Sequence, residues 1–360
     1  MRRFVAILAM VMIGVSASAQ QKVKNIIFMI GDGMGIAAVT AAQMHNNGQP
    51  LAMQRGTAGG FITTYPANGR VTDSAAAATA LACGIKTKNG MIGVDPQGNT
   101  VESIREKAQK AGMATGVIDT HSVTDATPGG FVVHVSSRKN AEDIAAQYVD
   151  SGINLFIGGG MKYFTGRSDG RDLVKEMEAK GYKMTGSLDD VLSYNGTKLG
   201  ALLAGGVLKS VAEGRGDMLS EASAKSYELL KAASPKGFFI MVEGSMIDTY
   251  AHANDIDQVV GETLDFDRAV ARAFDFADRN PGTLVVVTAD HETGGLALAG
   301  AQNDAEQHSI TPGVKYIFAT KGHTCTMVPV FAYGTGADSF SGVKDNTDLP
   351  KIIAKLLGLK

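Results

Sequence analysis

Three apolar runs, far apart in the chain, each stop abruptly at an acid. Val23 to Ile30 ends in Gly31-Asp32-Gly33, Phe238 to Val242 in Glu243-Gly244, and Leu284 to Thr288 in Ala289-Asp290-His291. A run with no alternating polar face is buried on both sides, which is the pattern of central strands in a parallel sheet. The carboxyl ends of parallel strands lie along one edge, where ligands bind. Asp32, Glu243, Asp290 and His291 should therefore converge on that edge.

The rest of the chain alternates strands with helices in the same way. Thr115 to Ile118 and Leu155 to Ile157 read as further buried strands, and Phe61 to Tyr65 as a short one. Helical patterns cover Val101 to Gly112, Asp172 to Ala179, Glu221 to Ala232 and Asp257 to Arg279. Residues Asp119 to Gly130, dense in small polar side chains, predict a loop, and Pro128 argues against a helix just before it. The region from about 150 to 235 holds no ligand-like cluster and reads as a peripheral insertion. The fold expected is α/β, a three-layer sandwich with a mainly parallel central sheet. Pro329, in the last apolar run, suits a strand edge or a strand entry.

Arg2 and Arg3, an apolar core from Phe4 to Val15 and Ala17-Ser18-Ala19 have the layout of a secretory signal, too short to span a bilayer. The expected organisation is a signal peptide over 1–19 and one α/β domain over 20–360, working in the periplasm or outside the cell. No later stretch is long and apolar enough to cross a membrane. Lys and Arg number 34 against 36 Asp and Glu, with no long basic run, so nucleic acid is not an expected partner. Cys83 and Cys325 are the only cysteines. Their spacing does not decide between a bridge and two free thiols.

Arg70 to Ala82 contains Thr72-Asp73-Ser74 followed by a run rich in Ala, a strong helix former entered through capping residues. Ser74 should sit in the first turn, where free N–H groups and the macrodipole favour an anion such as phosphate. Asp248 and His252 are spaced to share one face of a helical turn and offer two ligands to a metal. With His323 in Gly322-His323-Thr324, the crevice would hold four carboxylates and three imidazoles. So many acids together would repel one another and raise one another's pKa unless cations are bound. Mixed His and carboxylate sets suit zinc, and remaining oxygen donors suit magnesium. Two metals about 4 Å apart serve phosphoryl transfer, with Ser74 as nucleophile and Arg138 as a fork for phosphate oxygens.

These motifs, in order along the chain, resemble the alkaline phosphatase family: Asn25 to Gly35, Val71 to Ala76, Asp125 to Pro128, Val242 to Gly244, Asp248 with His252, Thr288 to Glu292, and Gly322 to Thr324. The resemblance implies an exported phosphomonoesterase with two zinc ions and one magnesium. One zinc would be held by Asp248, His252 and His323, the other by Asp290, His291 and a bridging Asp32. Magnesium would take Asp32, Thr127 and Glu243. Ser74 would be phosphorylated, Arg138 would clamp phosphate, and Asp73 would orient Arg138. Asp125 stands beside the metal site where relatives often have His. Thr249 stands where many have Lys, His or Trp, and cannot supply the charge of Lys. Small phosphate monoesters are the implied substrates, and the family's homodimer is left open by the short chain. The alternatives are a phosphodiesterase, sulfatase or phosphomutase on the same scaffold, or an exported phosphate- or metal-binding protein without turnover.

Overall fold

The computed structural model describes residues 22–359, so the expected signal segment over 1–19 lies outside the described residues. The strands, in chain order, are β1 Asn25–Gly31, β2 Ala58–Thr63, β3 Ala114–Ser122, β4 Leu155–Gly159, β5 Lys183–Thr185, β6 Leu199–Ala204, β7 Phe238–Gly244, β8 Thr283–Thr288, β9 Glu292–Thr293, β10 Leu296–Gly300, β11 Val314–Phe318, β12 His323–Thr324, β13 Val328–Gly334 and β14 Gly342–Asp345. Ten of them form one sheet in the order β14-β2-β13-β8-β1-β7-β3-β4-β6-β5, and β13 alone runs against the rest. β1 lies at the centre with β7 and β8 parallel on either side, and all three strands are buried throughout. Burial on both faces is why they read as unbroken apolar runs.

Neighbouring residues on β7 show the layers. Phe238 meets Tyr227 and Phe276, from the Met218–Ala233 and Ile256–Arg279 helices, while Phe239 stacks on Phe131 of the Ala126–Val132 helix. Successive strand side chains point to opposite faces, so helices cover both sides of the sheet. Among the described residues no helix is long and apolar enough to cross a membrane.

The observed fold corrects the sequence reading in several places. β3 runs on to Ser122, so Asp119 is a strand residue in register with Glu243 rather than the start of a loop. Ala126–Val132 is helical despite Pro128, which sits in the first turn, where a backbone N–H has no intrahelical acceptor to lose. The short strand near Phe61 is β2, Ala58–Thr63, because pairing with β13 holds Gly59 and Gly60 extended. Pro329 enters β13 at its second residue, and β13 lies inside the sheet, not at its edge. Residues 150–235 supply β4, β5 and β6, so this region continues the sheet beyond β3 and forms one of its ends. Cys83 is part-buried, Cys325 is exposed, and both are free thiols.

The Ser74–Cys83 helix is buried over all but its last residue. Its alanines allow close approach to the Ala126–Val132 helix. A Cβ added at Gly130 would lie 2.8 Å from Ala78 Cβ and 3.0 Å from the Ala78 carbonyl carbon. Backbone cannot yield cheaply, so Gly130→Ala should cost about 1–3 kcal/mol and lower the thermal midpoint by several degrees. Gly129→Ala, whose Cβ would meet Ile92 and Val133 at ordinary contact distances, should leave the midpoint unchanged or raise it. Thermal unfolding of the two variants side by side checks this, and equal effects would mean that the close helix contact does not matter.

Candidate active site

The strand register gathers the acids. Ile30 pairs with Glu243 on one side and Thr288 on the other, so the chain leaves β1, β7 and β8 at one level carrying Asp32, Glu243, Asp290 and His291. All four are buried, Asp290 and His291 completely. A two-stranded ribbon of β9 and β12, pairing His323 with Thr293, brings His323 back to the same place. The Met246–Ala253 helix after β7 presents Asp248 and His252 on one turn.

His291 is the hub. Its Nε2 lies 3.2 Å from Asp290 Oδ2, 3.4 Å from Asp32 Oδ1 and 3.3 Å from Ser74 Oγ. Its ring stacks on His323 with centroids 3.6 Å apart. His252 Nε2 lies 3.2 Å from Asp248 Oδ2 and 3.1 Å from His323 Nε2, which is 3.6 Å from Asp248 Oδ1. Two triads, Asp32 with Asp290 and His291, and Asp248 with His291 and His323, each bring ligand atoms within 4.8 Å of one another. His291 thus stands between the two groups that the family resemblance keeps separate.

The donor set fits cations. His323 Nδ1 is 2.8 Å from the Thr72 carbonyl, and His252 Nδ1 is hydrogen-bonded to the Lys321 carbonyl. Each contact places a proton on Nδ1 and leaves the Nε2 lone pair facing the cluster, the usual arrangement of a metal-ligating histidine. Asp290 Oδ1 accepts from the N–H groups of Gly33 and His291. Asp290 Oδ2, Asp32 Oδ1, Glu243 Oε2 and Thr127 Oγ1 are buried without a hydrogen-bond partner. Buried oxygens left open in this way mark room for a ligand that is not protein.

Burial, followed by Asp290, Asp248 and Glu243, pushes the Asp32 carboxyl well above its ordinary range. Burial and then Asp119 and Asp125 do the same to Glu243. Burial lowers the pKa of His291. Burial would raise Asp248, but its hydrogen bond to His252 and the charges of His291 and His323 bring it down to about 2. The same pairing lifts His252 to about 9.

Beside the cluster, Asp73 caps the Ser74–Cys83 helix by accepting from Ala76 N–H, and its other oxygen accepts from Gly90 N–H. Ser74 is therefore the first helical residue. Arg138 Nη1 lies 3.6 Å from Asp73 Oδ2, and Nη2 lies 3.0 Å from Asp125 Oδ1. Asp125 Oδ2 is in turn 2.8 Å from His121 Nδ1. Although burial opposes it, the charges of Asp125, Asp73 and Asp32 raise the Arg138 pKa and keep the guanidinium charged. Arg138 and Asp125 line a cavity of about 310 Å³ with His121, Lys139, Lys162 and Tyr163. Thr249, next to Asp248, is exposed.

Asp119 escaped the sequence reading. It is fully buried, accepts from His121 N–H and the Ser245 hydroxyl, and keeps Oδ2 unpaired. Burial pushes it up to about 7. The signal was present, since Asp119 directly follows an apolar run as Asp32 and Glu243 do, but the polar residues after it read as a loop.

Carboxyls raised in the fold stabilise it while protonated and cease to do so as pH climbs from their unfolded value near 4 through the folded value. For Asp119 that window closes at about 7, and Asp32 and Glu243, raised well above their ordinary values by burial and by neighbouring carboxylates, act in the same direction. Chelator-treated protein should therefore melt several degrees lower at pH 8 than at pH 5, and zinc with magnesium should flatten the difference. A metal-free melting point that does not fall across this range would contradict the charge reading.

Residues 23–315 match the sequence profile of the family described as alkaline phosphatase. Alkaline phosphatase 3 of Bacillus subtilis is 34% identical, with 95% of this chain and 92% of that protein aligned. Alkaline phosphatase of Escherichia coli is 33% identical over 94% of this chain and 86% of its own. The solved alkaline phosphatase of the Antarctic bacterium TAB5 superposes with a TM-score of 0.88 at 37% identity, covering 95% of this chain and 99% of that one.

Proposed function

This chain belongs to the alkaline phosphatase family and is a phosphoric monoester hydrolase, and from that premise we propose that it works by a covalent phosphoserine on Ser74. The observation that carries this reading is the position of Ser74 Oγ, at the start of a buried helix and 3.3 Å from His291 Nε2 at the centre of the carboxylate and imidazole cluster. A serine placed there faces both the helix dipole and the cations the cluster would hold.

Two zinc ions would occupy the cluster, held by Asp248, His252 and His323 on one side and by Asp32, Asp290 and His291 on the other, with His291 within reach of both. Magnesium would take Asp32, Thr127 and Glu243, whose open oxygens suit a hard cation. When bound, these ions would lower the pKa of the serine hydroxyl and neutralise phosphate charge.

Ser74 Oγ attacks phosphorus, the ester P–O bond breaks, and the proton that Ser74 gives up reaches the departing alkoxide through solvent, so that it leaves as the alcohol. Water then cleaves the phosphoserine, giving inorganic phosphate and free Ser74. Arg138, held by Asp73 and Asp125, offers a planar fork to two non-bridging oxygens. Asp125 and Thr249 set the surroundings of the cluster without joining it. Substrates would be small phosphate monoesters, met in the periplasm or outside the cell after removal of the segment ending near Ala19.

Ser74→Ala should lower kcat/KM by about 10³-fold or more while zinc and magnesium content stays near that of the parent. Turnover at the parent rate would remove Ser74 from the mechanism. Arg138→Ala should lower monoester kcat/KM by about 10- to 100-fold and diester hydrolysis by less, since a diester has one fewer charged oxygen to hold. Rates on monoester, diester and sulfate ester together separate this function from a diesterase or sulfatase, and equal losses on both phosphate esters would count against the arginine clamp.

A further inference from the structure

A second cluster of ligand-type side chains shares no residue with the active site. His45 ends the Ile36–His45 helix, Asp257 stands in the first turn of the Ile256–Arg279 helix, and His308 lies in the connection between β10 and β11. One ligand atom from each falls within 4.8 Å of the other two. His308 Nε2 is 3.1 Å from Asp257 Oδ1, and the rings of His45 and His308 lie 4.9 Å apart. His45 Nε2 is buried with no hydrogen-bond partner among the described residues. Tyr316 flanks both rings and fixes their pocket, with its hydroxyl 3.0 Å from Thr311 Oγ1.

His308 does not hang in a free loop. Its N–H donates to the Val314 carbonyl and its own carbonyl accepts from Thr311 N–H, so the connection is folded around it. Its Nδ1 receives a long contact of 3.3 Å from Ile310 N–H, which leaves Nε2 as the atom turned toward Asp257 and His45. The carbonyl end of the helix that His45 closes adds partial negative charge.

We propose that His45, Asp257 and His308 form an additional site for a divalent transition ion, with zinc the best match. Two imidazoles and a carboxylate are a zinc-type donor set, and three protein ligands leave a fourth tetrahedral position to water. Binding takes the lone pair of His308 Nε2, so the proton there moves to Nδ1 and the Ile310 contact opens. Burial and then the neighbouring His308 hold the His45 pKa below its ordinary value, which keeps His45 neutral and able to ligate near pH 7.

The ion has a structural position. It joins the β10–β11 connection to the helix that follows Asp32 and to the helix that follows His252, while β11 leads directly to His323. Three segments adjoining the active-site cluster would be tied at one point away from it.

The test uses the zinc- and magnesium-loaded enzyme dialysed against low micromolar zinc, with bound zinc per chain measured by atomic emission. His45→Ala, His308→Ala and Asp257→Asn should each hold about one zinc fewer per chain than the parent, with phosphatase rates within about twofold of it. Added zinc should raise the melting point of the parent above that of each variant. Asp257 is exposed, so Asp257→Asn tests the site without emptying a packed position. Equal zinc content in the parent and all three variants would overturn the proposal, as would equal zinc-dependent melting shifts.

Discussion

Mutual repulsion among buried carboxylates is the constraint that the rest of this structure answers. Asp32, Glu243, Asp119 and Asp290 lie out of water around one level of a parallel sheet, where neither solvent nor salt screens them. The protein alone relieves them only in part. Hydrogen bonds from backbone amides and Ser245 satisfy one oxygen of Asp290 and of Asp119, while oxygens of Asp32, Glu243, Asp119 and Asp290 remain open. Such a cluster must take up either protons or cations. The histidines next to it have their outer nitrogens tied to backbone carbonyls, which turns lone pairs toward the same space and favours cations.

The sheet makes that arrangement rigid. β1 is fixed by two parallel neighbours, so the level at which Asp32 leaves the sheet is set by the same hydrogen bonds that set Glu243 and Asp290. The nucleophile candidate is fixed differently. The helix starting at Ser74 is located by its contact with Gly130 and by the cap from Asp73, which also faces Arg138. Arg138, Asp125 and His121 then form a line of side-chain contacts along the margin of the cluster. A shift of one side chain there is felt by the next, so the Arg138 guanidinium is held from two sides.

Much of this was legible before the structure. Apolar runs ending in acids announced both a parallel sheet and the edge on which its chemistry lies, and Thr72-Asp73-Ser74 before a run of alanines announced the helix start. What failed to show came from contacts made at a distance. Asp119 was hidden because β3 is extended by its pairing with β4 and β7, beyond the point where its own residues look like a strand. The short strand expected from Phe61 begins instead at Ala58, because β13 holds Gly59 and Gly60 extended. Pro128 excluded a helix only as long as its place within the first turn was unknown. The role of 150–235 as one flank of the sheet was not read because β5 has only three residues and β6, Leu199–Ala204, is Leu, Gly and Ala with no β-branched or aromatic residue, so both are held as strands by their pairing with each other and with β4. His291 as the hub between both triads depends on a ring stack with His323 that no spacing along the chain encodes.

The most direct test of the cation cage is anomalous diffraction at the zinc edge from crystals of the protein loaded with zinc and magnesium. Two strong peaks about 4 Å apart, one bonded to Asp248, His252 and His323, the other to Asp32, Asp290 and His291, and both facing Ser74 Oγ, are the result expected. An absence of anomalous signal among these side chains, in protein that hydrolyses phosphate monoesters at full rate, would contradict it.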